Sequence, residues 1–171
     1  MPHPEEINAR LRRPEGWIGG LISVLVCSAN ANQQLTNAPS VINFDTDNVG
    51  PFGLISRVGP DITVGVSGFY AFSIQPQVLQ NAQNNNTGFW ARKNGVDVPS
   101  SAFHFSSTGN GDTMVVPWSA TANLVRGDVI RFMAQTSLAN GATLSFVAAG
   151  AGAPASPAVV LDIRGFGPRV Q

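Results

Sequence analysis

At 171 residues the chain is long enough to fold as one domain around its own core, without disulfides or a metal. Ten basic and ten acidic residues cancel to a formal net charge of +0. That excludes the basic stripe of an electrostatic nucleic-acid binder. Charged residues are 12 % of the chain against about 25 % in ordinary soluble domains, so the surface must be built from Asn, Gln, Ser, Thr and Gly or be hidden by partners.

Residues 1–16 differ from all that follows. Glu5-Glu6-Ile7-Asn8-Ala9-Arg10-Leu11-Arg12-Arg13 is the only densely charged stretch. Pro4 suits the start of a short helix, Glu6 and Arg10 form an i,i+4 pair, and Pro14 and Gly16 would end it. The segment reads either as a frayed terminus or as an arm that orders on a partner. Ile7 and Leu11 supply the apolar edge the second reading needs. The domain division is therefore an arm over 1–16 and a folded domain over 17–171.

Arg12 and Arg13 before the apolar run Ile18–Cys27, with Ala29-Asn30-Ala31 behind it, imitate a secretory signal. The acidic and proline-rich lead and the Gly19-Gly20 break argue instead for a buried first strand. No apolar run approaches the roughly 20 residues of a membrane span, and no membrane partner is expected. Cys27 is the sole cysteine and reads as a small buried residue.

From Trp17 onward, 18 glycines and 12 prolines in the chain cut it into short pieces rich in Val, Ile, Phe, Thr and Trp, the composition of half-buried strands. Strands are expected near 18–30, 40–45, 53–57, 61–66, 68–77, 87–93, 101–106, 112–121, 128–136, 142–149 and 157–164. Turn signals such as Gly59-Pro60-Asp61, Asn94-Gly95, Gly127-Asp128 and Asn140-Gly141 separate them. In 68–77, Tyr70, Phe72 and Ile74 share one face; Phe69, Ala71 and Ser73 share the other. In 128–136, Ile130, Phe132 and Ala134 share a face. Many short strands with such turns imply a sandwich or barrel. With apolar groups on both faces of 68–77, the second face needs cover, most economically from another copy of the chain.

Gly68-Phe69-Tyr70-Ala71-Phe72-Ser73 resembles the G-x-Y-x-F strand of the C1q/TNF-like jelly-roll family. Leu124-Val125-Arg126-Gly127-Asp128-Val129-Ile130 is similar to that family's L-x-x-G-D turn and strand. Val41–Asp45 resembles its early apolar-x-F-D strand, and Val159–Ile163 sits where its closing strand lies. Phe89–Ser100 resembles the W-x-R-K-N-G-x-x-V-P segment of the branch found in bacteriophage virion proteins. The resemblance implies an all-β jelly-roll β-sandwich, a homotrimer, and aromatic packing at the core or about a three-fold axis. Tyr70, Phe72 and Phe132 are the residues so implied, with the core-or-axis choice open. His104, between Phe103 and Phe105, should point away from both, toward solvent or a subunit interface. The chain has no collagen stalk, membrane anchor or paired cysteines, which points away from receptor signalling and toward the phage branch.

No catalytic constellation emerges. The chain has two histidines, His3 and His104, and contains no H-E-x-x-H, Cys/His cluster, G-x-S-x-G or phosphate loop. Asp45 and Asp47 and the turn carboxylates Asp61, Asp97, Asp112 and Asp128 read as caps rather than as the 6–8 oxygen ligands of calcium. Arg92-Lys93 reads as a solvated hairpin tip, and Trp17, Trp90 and Trp118 as core or interface groups. No enzyme activity and no cofactor is expected. The leading expectation is a virion protein on the capsid surface. It would trimerise and grip the major capsid protein through Ile7, Arg10, Leu11, Arg12, Arg13, Trp17 and Ile18. The alternative is the tip of a tail fibre or spike that meets a host surface glycan. Against that, residues 1–16 are too short for a shaft and Met1 reads as a true start.

Overall fold

The computed structural model describes residues 21–52, 55–150 and 152–166, all strand, turn and loop. The expected arm, with Ile7, Arg10, Leu11, Arg12, Arg13, Trp17 and Ile18, lies outside the described residues.

Among the described residues, fifteen antiparallel strands form two sheets. The first is ordered β2 (Gln33–Leu35), β14 (Ala142–Leu144), β7 (Gly68–Gln80), β15 (Val159–Phe166), β1 (Leu21–Ala29), β4 (Thr46–Phe52); β11 (Thr113–Val115) and β12 (Trp118–Leu124) also pair with β7. The second is ordered β10 (Phe103–Ser107), β8 (Asn85–Lys93), β13 (Val129–Thr136), β6 (Asp61–Val64), β5 (Ile55–Val58); β3 (Ser40–Val41) joins β13 and β9 (Val96–Asp97) joins β8. Of the sandwich or barrel that the strands and turns imply, the chain forms the sandwich, with the all-β jelly-roll fold that the resemblance implies.

Period-two burial builds the core between the sheets. From β7 come Tyr70, Phe72, Ile74 and Val78; from β15 Val159, Leu161 and Ile163; from β1 Leu25 and Cys27; from β13 Ile130, Phe132 and Ala134. Phe132 sits at the centre, with ring contacts to Phe44 at 6.5 Å, Phe72 at 5.9 Å and Trp118 at 5.7 Å. Edge-to-face aromatic pairs of this kind add about 0.5–1.5 kcal/mol beyond area burial.

The structure redraws several expected strands. The stretch 112–121 is two strands, because Pro117, with no amide hydrogen, falls between β11 and β12. β7 runs past Pro76 to Gln80. Pro76 is tolerated there because it adds no donor but still lends its carbonyl to Val116 N, at 2.9 Å. β2 and β4 were missed; Gln33–Leu35 is short and polar, and β4 carries Gly50 and Pro51. The expected strand 142–149 keeps ladder pairing only at Ala142–Leu144.

Candidate assembly surface and outer-face sites

Four strands of the first sheet, β12, β7, β15 and β1, lie side by side, and their register sets the outer face. One cross-strand row runs Asn123, Phe69, Phe166. The next runs Thr121, Ala71, Arg164, Val24, and the next Ser119, Ser73, Asp162, Val26. These side chains are small or apolar, apart from one ion pair in which Arg164 donates to Asp162 at 2.8 Å. Phe69 is 43 % exposed and leans on Phe166 with ring centroids 6.4 Å apart. A flat, nearly uncharged sheet face with an exposed aromatic pair is the composition of a contact surface.

Beside that face, at the free edge of β12, the sandwich is open. A cleft of about 240 Å³ lies between β12 and residues 98–101, walled by Phe72, Trp118, Phe132 and Ile130, with Lys93 and Asn123 also in its lining. The face and the cleft are different surfaces of one protomer.

On the second sheet the motif residues prove to be structural. Asn94 and Gly95 take φ values of 50° and 83°, the left-handed pair a two-residue hairpin needs. The Asn94 amide donates to Asp128 Oδ1 at 2.7 Å, and its oxygen accepts from Val129 N at 2.8 Å. Asp128 is buried and also accepts from Val125 N at 3.0 Å, with Lys93 Nζ 3.7 Å away. Burial pushes the Asp128 carboxyl up, but the Val125 amide, Asn94 and Lys93 together outweigh it and hold the group below its ordinary value. So the Lys-Asn-Gly and Arg-Gly-Asp turns are latched to one another. Lys93 is drawn into that latch rather than left as a solvated tip.

Arg92 also departs from the solvated-tip reading. It donates to Asp97 at 2.8 Å, as does Trp90 through its indole N–H at 2.7 Å. Those two bonds, Arg92 first, lower the Asp97 carboxyl. Trp90 thus lies on the outer face of the second sheet, not in the core, whereas Trp118 is a core-edge group.

Tyr70, Phe72 and Phe132 all point into the sandwich, with Tyr70 fully buried and donating its hydroxyl to Val66 O at 2.7 Å. Within the protomer they are core residues. Over residues 68–74 the groups of β7 that face outward are Phe69, Ala71 and Ser73, and Phe69 is the one large apolar side chain among them. His104 is exposed on the outer face of the second sheet, as alternation predicted. Among the described residues no three His, Cys, Asp or Glu side chains converge on a metal position. Burial pushes the Cys27 thiol up to about 12, with Arg57 opposing.

No family model and no curated protein sequence matches the chain. Solved structures do. An Eiger TNF from S. frugiperda superposes with a TM-score of 0.60 at 11 % identity, covering 89 % of this chain and 97 % of the other. Murine APRIL at pH 5.0 superposes with a TM-score of 0.57 at 13 % identity, covering 84 % of this chain and 98 % of the other. The fold is a TNF-like jelly roll. At such identities the likeness shows only that this chain shares the sandwich fold. Its first-sheet face has small side chains where a contact surface needs flatness, and its second-sheet face carries a row of ion pairs.

Proposed function

We propose that this chain is a structural protein of a phage virion, a homotrimer that decorates and cements the capsid. The observation that carries self-association is the outer face of β12, β7, β15 and β1, low in charge and centred on Ala71 and Ser73 with Phe69 and Phe166 at one end. The open cleft at the β12 edge suits a heterologous contact, in which the edge of one protomer meets the face of the next. Such contacts close into a ring when the rotation is right. A specific interface of this kind buries about 800 Å² per partner.

The low overall charge and the resemblance of Phe89–Ser100 to a virion-protein segment support the capsid reading. In it, the arm around Ile7, Arg10, Leu11, Arg12 and Arg13, with Trp17 and Ile18, grips the major capsid protein. Three arms on one trimer raise hold through effective concentration without a tight single contact. The test is electron microscopy of virions in which this protein carries a label. Three-fold knobs across the shell are expected; label confined to the tail would move the assignment to the tip of a fibre or spike. A chain lacking residues 1–16 should remain a trimer and lose the shell.

A further inference from the structure

Gly88 lies in the middle of β8, a central strand, with His104 of β10 opposite it on one side and Gln135 of β13 on the other. Its backbone takes no left-handed conformation that would call for glycine. A glycine inside a strand weakens it, and often marks a place where another group must approach closely. Here the first such group is His104, whose ring lies over the glycine: a Cβ at residue 88 would fall 2.6 Å from Cε1 and from Nδ1. The ring takes the space of the missing side chain, and beside it lies a shallow groove of about 170 Å³ walled by Asn86, His104, Gln135, Thr136 and Ser137.

The lining contains amides, hydroxyls and one imidazole, with no carboxylate, ammonium or guanidinium. Several of its hydrogen-bonding groups are uncommitted. The Gln135 amide nitrogen donates to Asn37 O at 2.7 Å, which leaves its oxygen turned to other use. Ser137 Oγ accepts from Asn86 N at 2.9 Å and donates to Asn85 Oδ1 at 3.2 Å. Among the described residues, neither the His104 ring nor the Asn86 side chain makes a hydrogen bond to the protein. Neutral donors and acceptors beside a flat ring, mounted on paired strands, match a neutral, hydroxyl-rich ring compound. They do not match a phosphate or a carboxylate, which would ask for a cation.

We propose that this groove is a binding site for neutral carbohydrate. His104 offers the planar surface, and the Asn86 side chain and the Gln135 oxygen offer the hydrogen bonds, with Ser137 holding the Asn86 backbone in place. The groove is on the sheet opposite the proposed contact face, so a trimer would present three copies outward. The site stands on the groove alone and does not depend on the trimer.

The full-length protein is titrated with maltotriose, cellotriose and chitotriose, with sialyllactose as the charged comparison. The backbone amide signals of Gly88, Thr136 and Ser137, which line the groove, are followed by NMR in every variant, together with the His104 imidazole where it is present, and sedimentation of the same samples reports the oligomer. A neutral oligosaccharide is expected to move these signals. His104→Ala and Gln135→Ala, both at accessible side chains and checked for unchanged melting, should bind it about tenfold more weakly. The proposal is overturned if no neutral oligosaccharide moves those signals up to about 20 mM. It is equally overturned if both variants bind as the parent does, or if only sialyllactose binds. Sugar bound by a protein that sediments as a monomer would uphold this site and refute the assembly reading, whereas sugar binding lost on trimerisation would overturn the outward-facing site.

Discussion

Arg131 of β13 and Arg92 of β8 stand directly opposite one another on the outer face of the second sheet. Two guanidiniums in register repel, yet each is flanked on its far side by a carboxylate in the same row: Asp61 of β6 for Arg131 and Asp97 of β9 for Arg92. The row reads Asp61, Arg131, Arg92, Asp97 across four strands. Arg131 binds Asp61 through two nitrogens, the second at 2.8 Å, and that pairing lowers the Asp61 carboxyl.

Removing one flank should expose the repulsion. Asp61→Asn is expected to destabilise the protomer modestly, by about 0.5–1 kcal/mol, since both side chains are partly solvated. Asp61→Asn combined with Arg92→Gln should cost less than the sum of the two single changes. Urea unfolding of the four species gives the coupling, and strict additivity would deny the row any shared energetics.

The latch between Asn94 and Asp128 should matter more. Asp128→Ala leaves the Val125 amide and the Asn94 side chain without their acceptor at a partly buried turn, a loss of about 1–2 kcal/mol. Chemical denaturation measures it; a change within about 0.5 kcal/mol would mean water replaces the carboxylate at no cost.

Asp61, Asp97 and Asp128 all hold their protons less tightly in the folded chain than an ordinary carboxyl does. The sign follows: their stabilisation is fully present above the unfolded value of about 3.9 and disappears as pH falls through the lower folded values. Stability should be level between about pH 5 and 8 on this account and decline below about pH 4. In Asp128→Ala the decline should be shallower.

Core and contact face should separate by mutation. Phe132→Ala removes the ring at the centre of three aromatic contacts and is expected to cost about 3–5 kcal/mol. Ala71→Glu puts a charge on the outer face, opposite Arg164. It should leave the circular dichroism of the protomer unchanged while sedimentation shows loss of the trimer. A parent protein that sediments as a monomer at micromolar concentration would remove the basis for the assembly reading.

Cys27 is wholly buried and its thiol is pushed up to about 12, so it stays protonated at neutral pH. Native protein should resist thiol reagents, and labelling should follow unfolding. Rapid labelling of the folded chain would show that the first sheet opens locally at β1.

The sandwich was legible because its signals are local: alternation in 68–77 and 128–136, and Asn-Gly or Gly-Asp at the turns. The inward set Tyr70, Phe72, Ile74 follows from period two alone. Strands that exist only because a neighbour pairs with them, β2 on β14 and β4 on β1, left no such trace in their own residues. The outer-face chemistry was hidden for the same reason. Nothing near Arg131 in sequence announces Asp61, 70 residues away, and nothing in the residues around Gly88 announces its register with His104 and Gln135. Lys93 and Arg92 were read as a solvated tip because their partners Asp128 and Asp97 come from a turn and a two-residue strand.

The closing strand β15 pairs with β1 along one side and with β7 along the other. In time rather than space, the first sheet stays split until residues 159–166 have left the ribosome. Before then β1 and β7 each present an unsatisfied strand edge, and the aromatic pair Phe69–Phe166 does not exist. Completion of the fold and completion of the contact face are one event, so subunits should be unable to associate before β15 has docked between β1 and β7. A chain truncated before Val159 should accumulate as an aggregating intermediate rather than as a smaller assembly.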